Sequence, residues 1–261
     1  MKNFNFKSAS NTKEAAKLAS GRATFLAGGM SLLPAIKLRL AAYSDLINIK
    51  KIKTLSGIKV SSKSLRIGAT TTHASVASSK EVGKSIPSLA VLADGIGDPQ
   101  VRNRGTIGGS IANNDPAADY PSACLALNAT IHTSKRKIPA DKFFKGMFET
   151  DLKKGELIES VEFEIPEKSA YAKYPNPASR YAVVGVYVAK LKNEVRVAVT
   201  GAASCVFRSK ELEASLSNNF SASAIDSVNI SAKGLNSDIH ASAEYRAHII
   251  KVMAKKAVSS C

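Results

Sequence analysis

One segment constrains the fold of this chain more than any other, a run of small and polar residues from Gly97 to Asp119. It reads GDPQVRNRGTIGGSIANNDPAAD and combines glycines, hydroxyl side chains, amides and a carboxylate with few large residues. Glycine lets backbone amides approach phosphate oxygens, hydroxyl groups add donors, and a carboxylate can accept hydrogen bonds from ribose hydroxyls. The segment therefore predicts a site for a diphosphate and a ribose. The alternative is a plain glycine-rich loop ahead of a capped helix.

A second glycine-bearing segment, FLAGGMSLLP, covers residues 25–34. A short apolar strand runs into Gly28 and Gly29, which are followed by a serine and the start of a helix, whose N-terminus favours anions. The pattern is neither the spaced glycines of a Rossmann turn nor a Walker A loop. Taken alone, it is more typical of an ordinary strand-to-helix turn.

Length and composition indicate a protein with a substantial core. The 261 residues suggest two or three packed subdomains, and 44% of them are apolar. No apolar run approaches the roughly 20 residues of a membrane span, and the N-terminal stretch lacks the apolar core of a secretory signal. We therefore expect a cytoplasmic protein. The three cysteines, Cys124, Cys205 and Cys261, lie far apart, which argues against a disulfide framework, a zinc site or an iron–sulfur cluster held by this chain alone.

The chain carries a net charge of +16, and the first sixty residues hold eleven Lys and Arg against Glu14 and Asp45 alone. Such an excess can serve nucleic acid, an acidic partner or a polyanionic cofactor. The basic residues are scattered rather than grouped, and no nucleic-acid-binding motif accompanies them. We expect no nucleic-acid binding, and the basic first sixty residues are a candidate docking surface for a partner.

Periodicity and breaker residues predict the local structure. Helices are expected at 12–20, 30–40, 71–78, 87–95 and 241–257, and a further one from Asp115-Pro116 to Leu127. Strands are expected at 24–27, 46–49, 56–60, 65–69 and 161–165, and as an antiparallel hairpin at 181–190 and 194–202. The last sixty residues look helical overall. Prolines at 166, 175 and 177 indicate a domain boundary at 166–180.

Four stretches together carry a family resemblance: AGGMSLLPAIKLRL, IGATTTHASVA, GDPQVRNRGTIGGSIANNDPAADYP and YAKYPNPASRYAVVGVYVA. They are very similar to the FAD-binding subunit of molybdenum hydroxylases, which include aerobic carbon monoxide dehydrogenase and bacterial xanthine-dehydrogenase-type enzymes. Within this family, the motifs of the carbon monoxide dehydrogenase branch resemble these four stretches most. The resemblance implies an α+β chain with the two-subdomain FAD-binding fold of the vanillyl-alcohol-oxidase type and a C-terminal domain of antiparallel sheet and helices. The subdomains would cover residues 1–60, 61–166 and 167–261.

The resemblance also implies which residues bind FAD. The FAD pyrophosphate would lie between residues 27–33 and 106–110, Asp119 would serve the adenosine ribose, and Lys173 would lie near the flavin. The complete set is Ala27, Gly28, Gly29, Met30, Ser31, Leu32, Leu33, Thr106, Gly108, Gly109, Ser110, Asn113, Asp119 and Lys173. The PNPASRY segment after Lys173 departs from the pattern of the xanthine-dehydrogenase relatives.

Several other side chains have alternative interpretations. Arg102 and Arg104 either orient the second loop and balance phosphate charge, or pair structurally with Asp98 or Asp115. His73 follows three threonines, which indicates a helix-capping neighbourhood rather than flavin contact. No residue marks covalent flavin attachment, so we expect non-covalent FAD, and no metal cluster, catalytic triad or carboxylate pair is evident.

The resemblance finally implies a division of labour. A large subunit with the molybdenum cofactor would oxidise the substrate, and a small subunit with two [2Fe–2S] clusters would pass electrons to the FAD of this chain. An external acceptor such as quinone, NAD or dioxygen would then take them, and the assembly would be a dimer of heterotrimers. The rival within enzymes is a stand-alone flavoprotein with its own substrate, and the rival outside enzymology is a basic anion-binding protein.

Overall fold

A computed structural model describes residues 2–261, and the strands form three main sheets that follow one another along the chain. The first sheet is parallel with strand order β1-β3-β2. Its elements in chain order are β1 (Asn5–Ser8), α1 (Thr12–Leu18), β2 (Ala23–Leu26), α2 (Leu32–Lys37) and β3 (Asp45–Asn48). The side chain of Asn11 accepts from the amide of Glu14 at 2.9 Å and so caps α1.

The second sheet is antiparallel, with strand order β4-β5-β10-β6-β7, and a two-stranded ribbon, β8–β9, accompanies it. Its elements in chain order are β4 (Ile58–Val60), β5 (Ser64–Gly68), α3 (His73–Ser78), α4 (Lys80–Ser85), α5 (Pro87–Asp94), α6 (Pro99–Arg104), α7 (Ile107–Asn113), α8 (Tyr120–Ala126), β6 (Thr130–Thr133), β7 (Lys137–Pro139), α9 (Ala140–Phe143), β8 (Phe144–Gly146), β9 (Glu149–Thr150) and β10 (Ile158–Glu164).

The third sheet is antiparallel with strand order β11-β12-β13-β14. Its elements are β11 (Lys168–Pro175), β12 (Ala182–Lys190), β13 (Val195–Thr200), β14 (Phe207–Arg208), α10 (Lys210–Asn218) and α11 (Ala243–Ser259). One face packs on α10 and α11 around Val186, Val197 and Ile250. The other face joins the core of the second sheet through Tyr187 and Ala198. The third sheet is therefore held between its own helices and the preceding part of the chain.

The fold class expected from the sequence is confirmed, and so are most of the predicted elements. The antiparallel hairpin appears as β12 and β13 and the last long helix as α11. The division proposed at residue 166 falls between β10 and β11, where the second sheet gives way to the third. The division proposed at residue 60 passes between β4 and β5, which are paired strands of one sheet. If each subdomain contains one whole sheet, the first boundary lies before Ile58, where β4 begins. We keep the three subdomains as a proposal with this boundary.

The predicted start of the helix at Asp115 is wrong, because α8 begins at Tyr120. Asp115 Oδ1 accepts from the amide of Ala117 at 2.9 Å and closes a turn instead of capping a helix. The carbonyl of Pro116 accepts from the amide of Gly201 at 2.8 Å. A tertiary contact with the end of β13 thus fixes the segment ahead of the helix.

Three further expectations need correction. The helix expected at 30–40 is limited to α2, since Arg39 adopts a left-handed backbone with φ of 62°. The proline-marked boundary region at 166–180 contains the eight-residue strand β11, which pairs with β12 along its length. The last sixty residues are not helical throughout, because irregular chain and one short 3-10 turn lie between α10 and α11.

Across the described residues, no helix is long and apolar enough to cross a membrane.

Arg246 on α11 holds the third sheet to its helix from inside. Its side chain is buried, and Nη1 donates to the carbonyl of Val183 at 2.6 Å and of Gly201 at 3.1 Å. Nη2 donates to Asp238 Oδ2 at 2.7 Å. The Asp238 side chain is 44% exposed and stays hydrated without Arg246, whereas the two carbonyls at buried residues lose a charged donor.

We therefore expect Arg246→Met to lower the free energy of unfolding by about 2 kcal/mol, because two carbonyls at buried residues lose their charged donor, as measured by urea denaturation. The matched control is Lys256→Met, an exposed position on the same helix, which should change stability by less than about 0.5 kcal/mol. Equal stability of the two variants would contradict the clamping role of Arg246.

Candidate functional site

The two glycine-bearing segments, about eighty residues apart in sequence, meet through their backbones. A Cβ atom added to Gly28 would lie 2.1 Å from the carbonyl oxygen of Arg104 and 2.9 Å from the Cα of Gly105. Any side chain at Gly28 would therefore separate the two segments. The next residue, Gly29, has φ of 76°, a left-handed backbone that glycine adopts without strain. Both glycines are buried, so this contact lies inside the protein.

The first segment presents a row of free donors. Among residues 2–261, no hydrogen bond is donated by the backbone amides of residues 28–32. The amide of Leu33 is the first to enter the helix ladder, donating to the carbonyl of Gly29 at 3.0 Å. Buried backbone amides are nearly always paired, so five consecutive free amides at a partly buried turn require an explanation. Water can reach the exposed Met30 and Ser31, and a bound anion would supply acceptors to the buried Gly28 and Gly29 as well.

The second segment differs, because protein acceptors already satisfy the first amides of α7. Ile107 donates to the carbonyl of Thr71 at 3.1 Å and Gly108 to that of Ala69 at 2.9 Å. The Thr106 hydroxyl caps the helix by accepting from the amide of Gly109 at 3.2 Å. Of the two segments expected to offer amides to the phosphates, only the first has a run of amides that no protein acceptor in the described chain uses. The second segment instead presents the exposed Gly109, which has no side chain, and the hydroxyl group of Ser110.

Glycines of the second segment allow close approach in different directions. Gly109 is exposed, and a Cβ there would meet only the Thr106 hydroxyl at 2.9 Å. Gly108 is buried, and a Cβ there would lie 2.5 Å from the Cβ of Ala69. The structure therefore gives Gly108 a packing role against the end of β5, and leaves Gly109 facing open space.

Asp119 and Lys173, far apart in sequence, form a buried ion pair. Asp119 Oδ1 lies 3.1 Å from Lys173 Nζ, and their side chains are 5% and 11% exposed. The Tyr171 hydroxyl donates to the same carboxylate oxygen, and Lys173 Nζ also donates to the carbonyl of Gly95 at 2.8 Å. Burial raises the pKa of Asp119, against the opposing attraction of the Lys173 ammonium.

The other residues expected to bind the cofactor lie around these segments. Ala27, Leu32 and Leu33 are half-buried, whereas Met30 and Ser31 are exposed. On the opposite side, Thr106 is buried and Ser110 and Asn113 are half-buried along α7. The structure thus gathers the predicted set into two groups: the paired glycine segments, and the Asp119–Lys173 pair.

The arginines have structural roles that differ from those expected. Arg102 Nη1 donates to the carbonyls of Ile96 and Gly97 at 3.2 and 3.1 Å, and its Nε lies 3.5 Å from Asp94 Oδ1. Arg102 therefore pairs with neither Asp98 nor Asp115 and instead fixes the turn ahead of α6. Arg104 has an exposed side chain and contributes its backbone carbonyl to the contact with Gly28.

Sequence reasoning missed residues that act through tertiary contacts. Tyr171 lies only two residues from Lys173, a spacing that places both on one face of a strand, but no strand was expected there. Burial and the charges of Asp115 and Asp119 raise the pKa of Tyr181, which therefore lies near the same carboxylates. The alternation along β11 was the signal that could have identified Tyr171.

His73 supports the second segment from below. The side chain is 5% exposed, and a Cβ on Gly105 would lie 2.5 Å from its Nε2. The backbone amide of His73 donates to the carbonyl of Gly105 at 3.0 Å. Burial, assisted by the charge of Arg102, lowers the pKa of His73 to about 4. His73 is therefore neutral at physiological pH and serves as packing beneath the glycine segment, as its place in the helix-capping neighbourhood suggested.

The depressed pKa of His73 predicts an acid-sensitive stability. Unfolded His73 takes up a proton near pH 6.5, whereas the folded side chain does so near pH 4. Between these values the proton favours the unfolded chain, so stability should fall by up to about 3 kcal/mol as the pH is lowered. Urea denaturation at the two pH values gives the change in the free energy of unfolding with pH. His73→Leu should lose the part of this change that comes from His73, whereas the exposed His248→Leu should keep it. An identical change in all three proteins would contradict the neutral buried state.

Known proteins share this arrangement of segments and sheets. Residues 2–168 match a sequence family described as the FAD binding domain in molybdopterin dehydrogenase. The chain is 36% identical over 271 residues to the glyceraldehyde dehydrogenase medium chain of Sulfolobus acidocaldarius, covering 97% of this chain and 96% of that one. It is 38% identical over 200 residues to the carbon monoxide dehydrogenase medium chain of Hydrogenophaga pseudoflava, covering 71% and 69%.

A solved structure extends the likeness to the whole fold. A carbon monoxide dehydrogenase from Hydrogenophaga pseudoflava, lacking the Mo-pyranopterin moiety of the molybdenum cofactor, matches with a TM-score of 0.90 at 32% identity. The match covers 99% of this chain and 96% of that chain. The family resemblance and the FAD cofactor expected from the sequence are confirmed. This chain therefore belongs to the FAD-binding medium subunits of molybdenum hydroxylases, oxidoreductase subunits of the carbon monoxide dehydrogenase and xanthine dehydrogenase type.

Proposed function

We propose that this chain transfers electrons within a molybdenum hydroxylase complex, from [2Fe–2S] clusters of a small partner subunit to an external acceptor. A large partner subunit with the molybdenum cofactor would oxidise the substrate with water as the oxygen source. Bound FAD supplies a group that holds one or two electrons and so can link single-electron carriers to a two-electron acceptor. The protein's own contribution is to bind the cofactor, orient it and set the charge around it.

The row of free amides at residues 28–32 carries this proposal. These donors face no protein acceptor, and Gly28 brings them against the second segment, where Gly109 leaves open space. A diphosphate between the segments would accept from the amides on one side and from the Ser110 hydroxyl on the other. Phosphate binding by free amides at the start of a helix is a well-established arrangement. We assign Ala27 to Leu33 to one side of the diphosphate, and Thr106 to Ser110, with Asn113, to the other.

The buried Asp119–Lys173 pair supports the assignment of Asp119. Asp119 Oδ1 is used by Lys173 and Tyr171, and within the described part of the chain no hydrogen bond uses Oδ2. That oxygen is available to accept from a ribose hydroxyl. Lys173 Nζ lies 3.1 Å from Asp119 Oδ1 and is fixed by two acceptors, so the pair faces one part of the cofactor. With Asp119 on the adenosine ribose, the Lys173 ammonium would therefore place its positive charge there and not beside the flavin ring, which lies on the other side of the diphosphate.

The cysteine inventory supports the proposed partners. A [2Fe–2S] cluster is generally held by about four cysteine thiolates, and this chain contains three cysteines in all. Among residues 2–261, no group of three or more His, Cys, Asp or Glu is placed to hold a metal ion. The clusters that reduce the flavin would therefore belong to another chain. The relatives are named as medium chains, of a glyceraldehyde and a carbon monoxide dehydrogenase, which supports partner chains that carry substrate choice. We further propose that the three chains assemble as a dimer of heterotrimers.

The electron-transfer role can be tested on the complex purified through a tag on this chain. FAD, iron and molybdenum should elute together, and reducing the clusters with a chemical donor should bleach the flavin absorbance in rapid mixing. The same preparation without the small subunit should keep FAD but lose flavin reduction by substrate. If the chain purified alone with FAD, and its flavin were reduced by an organic substrate without partners, it would be a stand-alone flavoprotein instead.

The site assignment predicts the effect of a side chain at Gly109. Gly109→Val should obstruct the approach of the diphosphate and weaken FAD binding by at least about 100-fold, because two or more hydrogen bonds to a charged group are lost. FAD content is read from the flavin absorbance per chain. The matched control is Gly83→Val, where nothing lies within 4 Å of the added Cβ, which should keep its FAD. Full flavin occupancy in Gly109→Val would show that the second segment does not contact the cofactor.

A further inference from the structure

Tyr171 links β11 to Asp119, the residue that precedes α8. The side chains of β11 alternate, so that Ala170 and Ala172 enter the core shared with α11, whereas Tyr171 and Lys173 point toward the second sheet and its helices. From there the Tyr171 hydroxyl donates to Asp119 Oδ1, the same oxygen that lies 3.1 Å from Lys173 Nζ. One carboxylate oxygen therefore receives both a neutral and a charged donor from the same strand.

Neighbouring residues fix the Tyr171 ring in this position. On the adjacent strand β12, Gly185 pairs with Lys173, and a Cβ there would lie 2.4 Å from the Tyr171 hydroxyl oxygen. The bare glycine thus leaves the room that the phenol occupies. Tyr187, the direct partner of Tyr171 across the strands, stacks against it with ring centroids 5.9 Å apart. The Tyr187 hydroxyl is engaged elsewhere, 2.6 Å from that of Ser88.

Charge explains what the Tyr171 hydroxyl does for Asp119. Asp119 is 4% exposed, and burial raises its pKa, while the Lys173 ammonium and the Tyr171 hydroxyl both favour the ionised form. Burial and the charge of Asp119 hold the pKa of Tyr171 well above its usual value, so the phenol keeps its proton and remains a donor. Of the other ionisable groups nearby, Tyr120 on α8 and Tyr181 ahead of β12 are likewise protonated phenols, since burial and carboxylate charge raise the pKa of each.

We propose that Tyr171 is a positioning residue of the FAD site, which holds the Asp119 carboxylate against Lys173 and leaves Oδ2 free for the ribose. The inference rests on the proposed assignment of Asp119 and Lys173 to the cofactor. Without the hydroxyl, the carboxylate has Lys173 as its only side-chain donor among the described residues and therefore takes up a proton more readily on acidification. The protonated carboxyl group then binds both Lys173 and the ribose more weakly.

The test is an FAD titration of the deflavinated complex by flavin fluorescence, from about pH 8 down to about pH 5. Tyr171→Phe keeps the ring that packs against Tyr187 and removes only the hydroxyl. We expect its FAD affinity at neutral pH to fall by about tenfold, the loss of one hydrogen bond to a charged group. The affinity should also begin to fall at a higher pH than in the parent, because Asp119 protonates earlier. Asp119→Asn should abolish this pH dependence and so identify the titrating group.

Tyr187→Phe is the matched control, since it removes a buried hydroxyl from the next strand that bonds Ser88 rather than Asp119. It should keep the pH profile of the parent even if overall affinity changes. Gly185→Ala is a second route, because its methyl group would meet the Tyr171 hydroxyl and also Thr200 Cγ2 at 2.9 Å; it should shift the profile in the same direction as Tyr171→Phe, with an added loss of affinity. A structural role alone would weaken binding without moving the profile.

The possible failures are distinguishable. A parent complex that binds FAD, with superimposable pH profiles for Tyr171→Phe and Tyr187→Phe, would overturn the positioning role and leave the proposed function intact. A parent complex that binds no FAD would overturn both. A shifted profile in Tyr171→Phe and Gly185→Ala, but not in Tyr187→Phe, supports the inference.

Discussion

The main-chain contact between Gly28 and the Arg104–Gly105 peptide is the constraint on which the site depends. With a Cβ at Gly28 only 2.1 Å from the Arg104 carbonyl oxygen, the first two sheets can approach this closely only through a residue without a side chain. The contact brings free amides of one turn beside a capped helix start of another, and neither turn offers the arrangement alone. His73 beneath Gly105 and Ala69 beneath Gly108 hold the second turn in place from the protein side. The proposed cofactor site therefore lies at the junction between two sheets.

The third sheet completes the site through electrostatics. A buried carboxylate without partners would cost several kcal/mol, so Asp119 requires the donors that β11 supplies. Lys173 and Tyr171 reach it because alternation along the strand directs both side chains to one face, and because Gly185 leaves space beside them. In the proposed site, the third sheet thus contributes two side chains from one strand. This coupling ties the packing of the third sheet to the charge at the cofactor.

Much of the site could be predicted from the sequence, because its motifs are local. The glycine-bearing segments, the capping neighbourhood of His73 and the hairpin of β12 and β13 are each encoded within a short stretch. The failures have tertiary causes. The helix expected at Asp115 starts later because the end of β13 binds the carbonyl of Pro116, and β11 was missed because its flanking prolines resemble a linker. The unequal roles of the two glycine segments depend on acceptors in distant residues, such as the carbonyls of Ala69 and Thr71, which no local pattern reveals.

The most direct test of this account is an experimental structure of the FAD-replete complex at a resolution that places the phosphate oxygens. The account predicts that the diphosphate lies between the two segments, with its oxygens about 2.7–3.2 Å from amides of residues 28–32 and the Ser110 hydroxyl on the opposite side. Density for the diphosphate elsewhere in the protein, or amides of residues 28–32 that face solvent in the bound state, would contradict it.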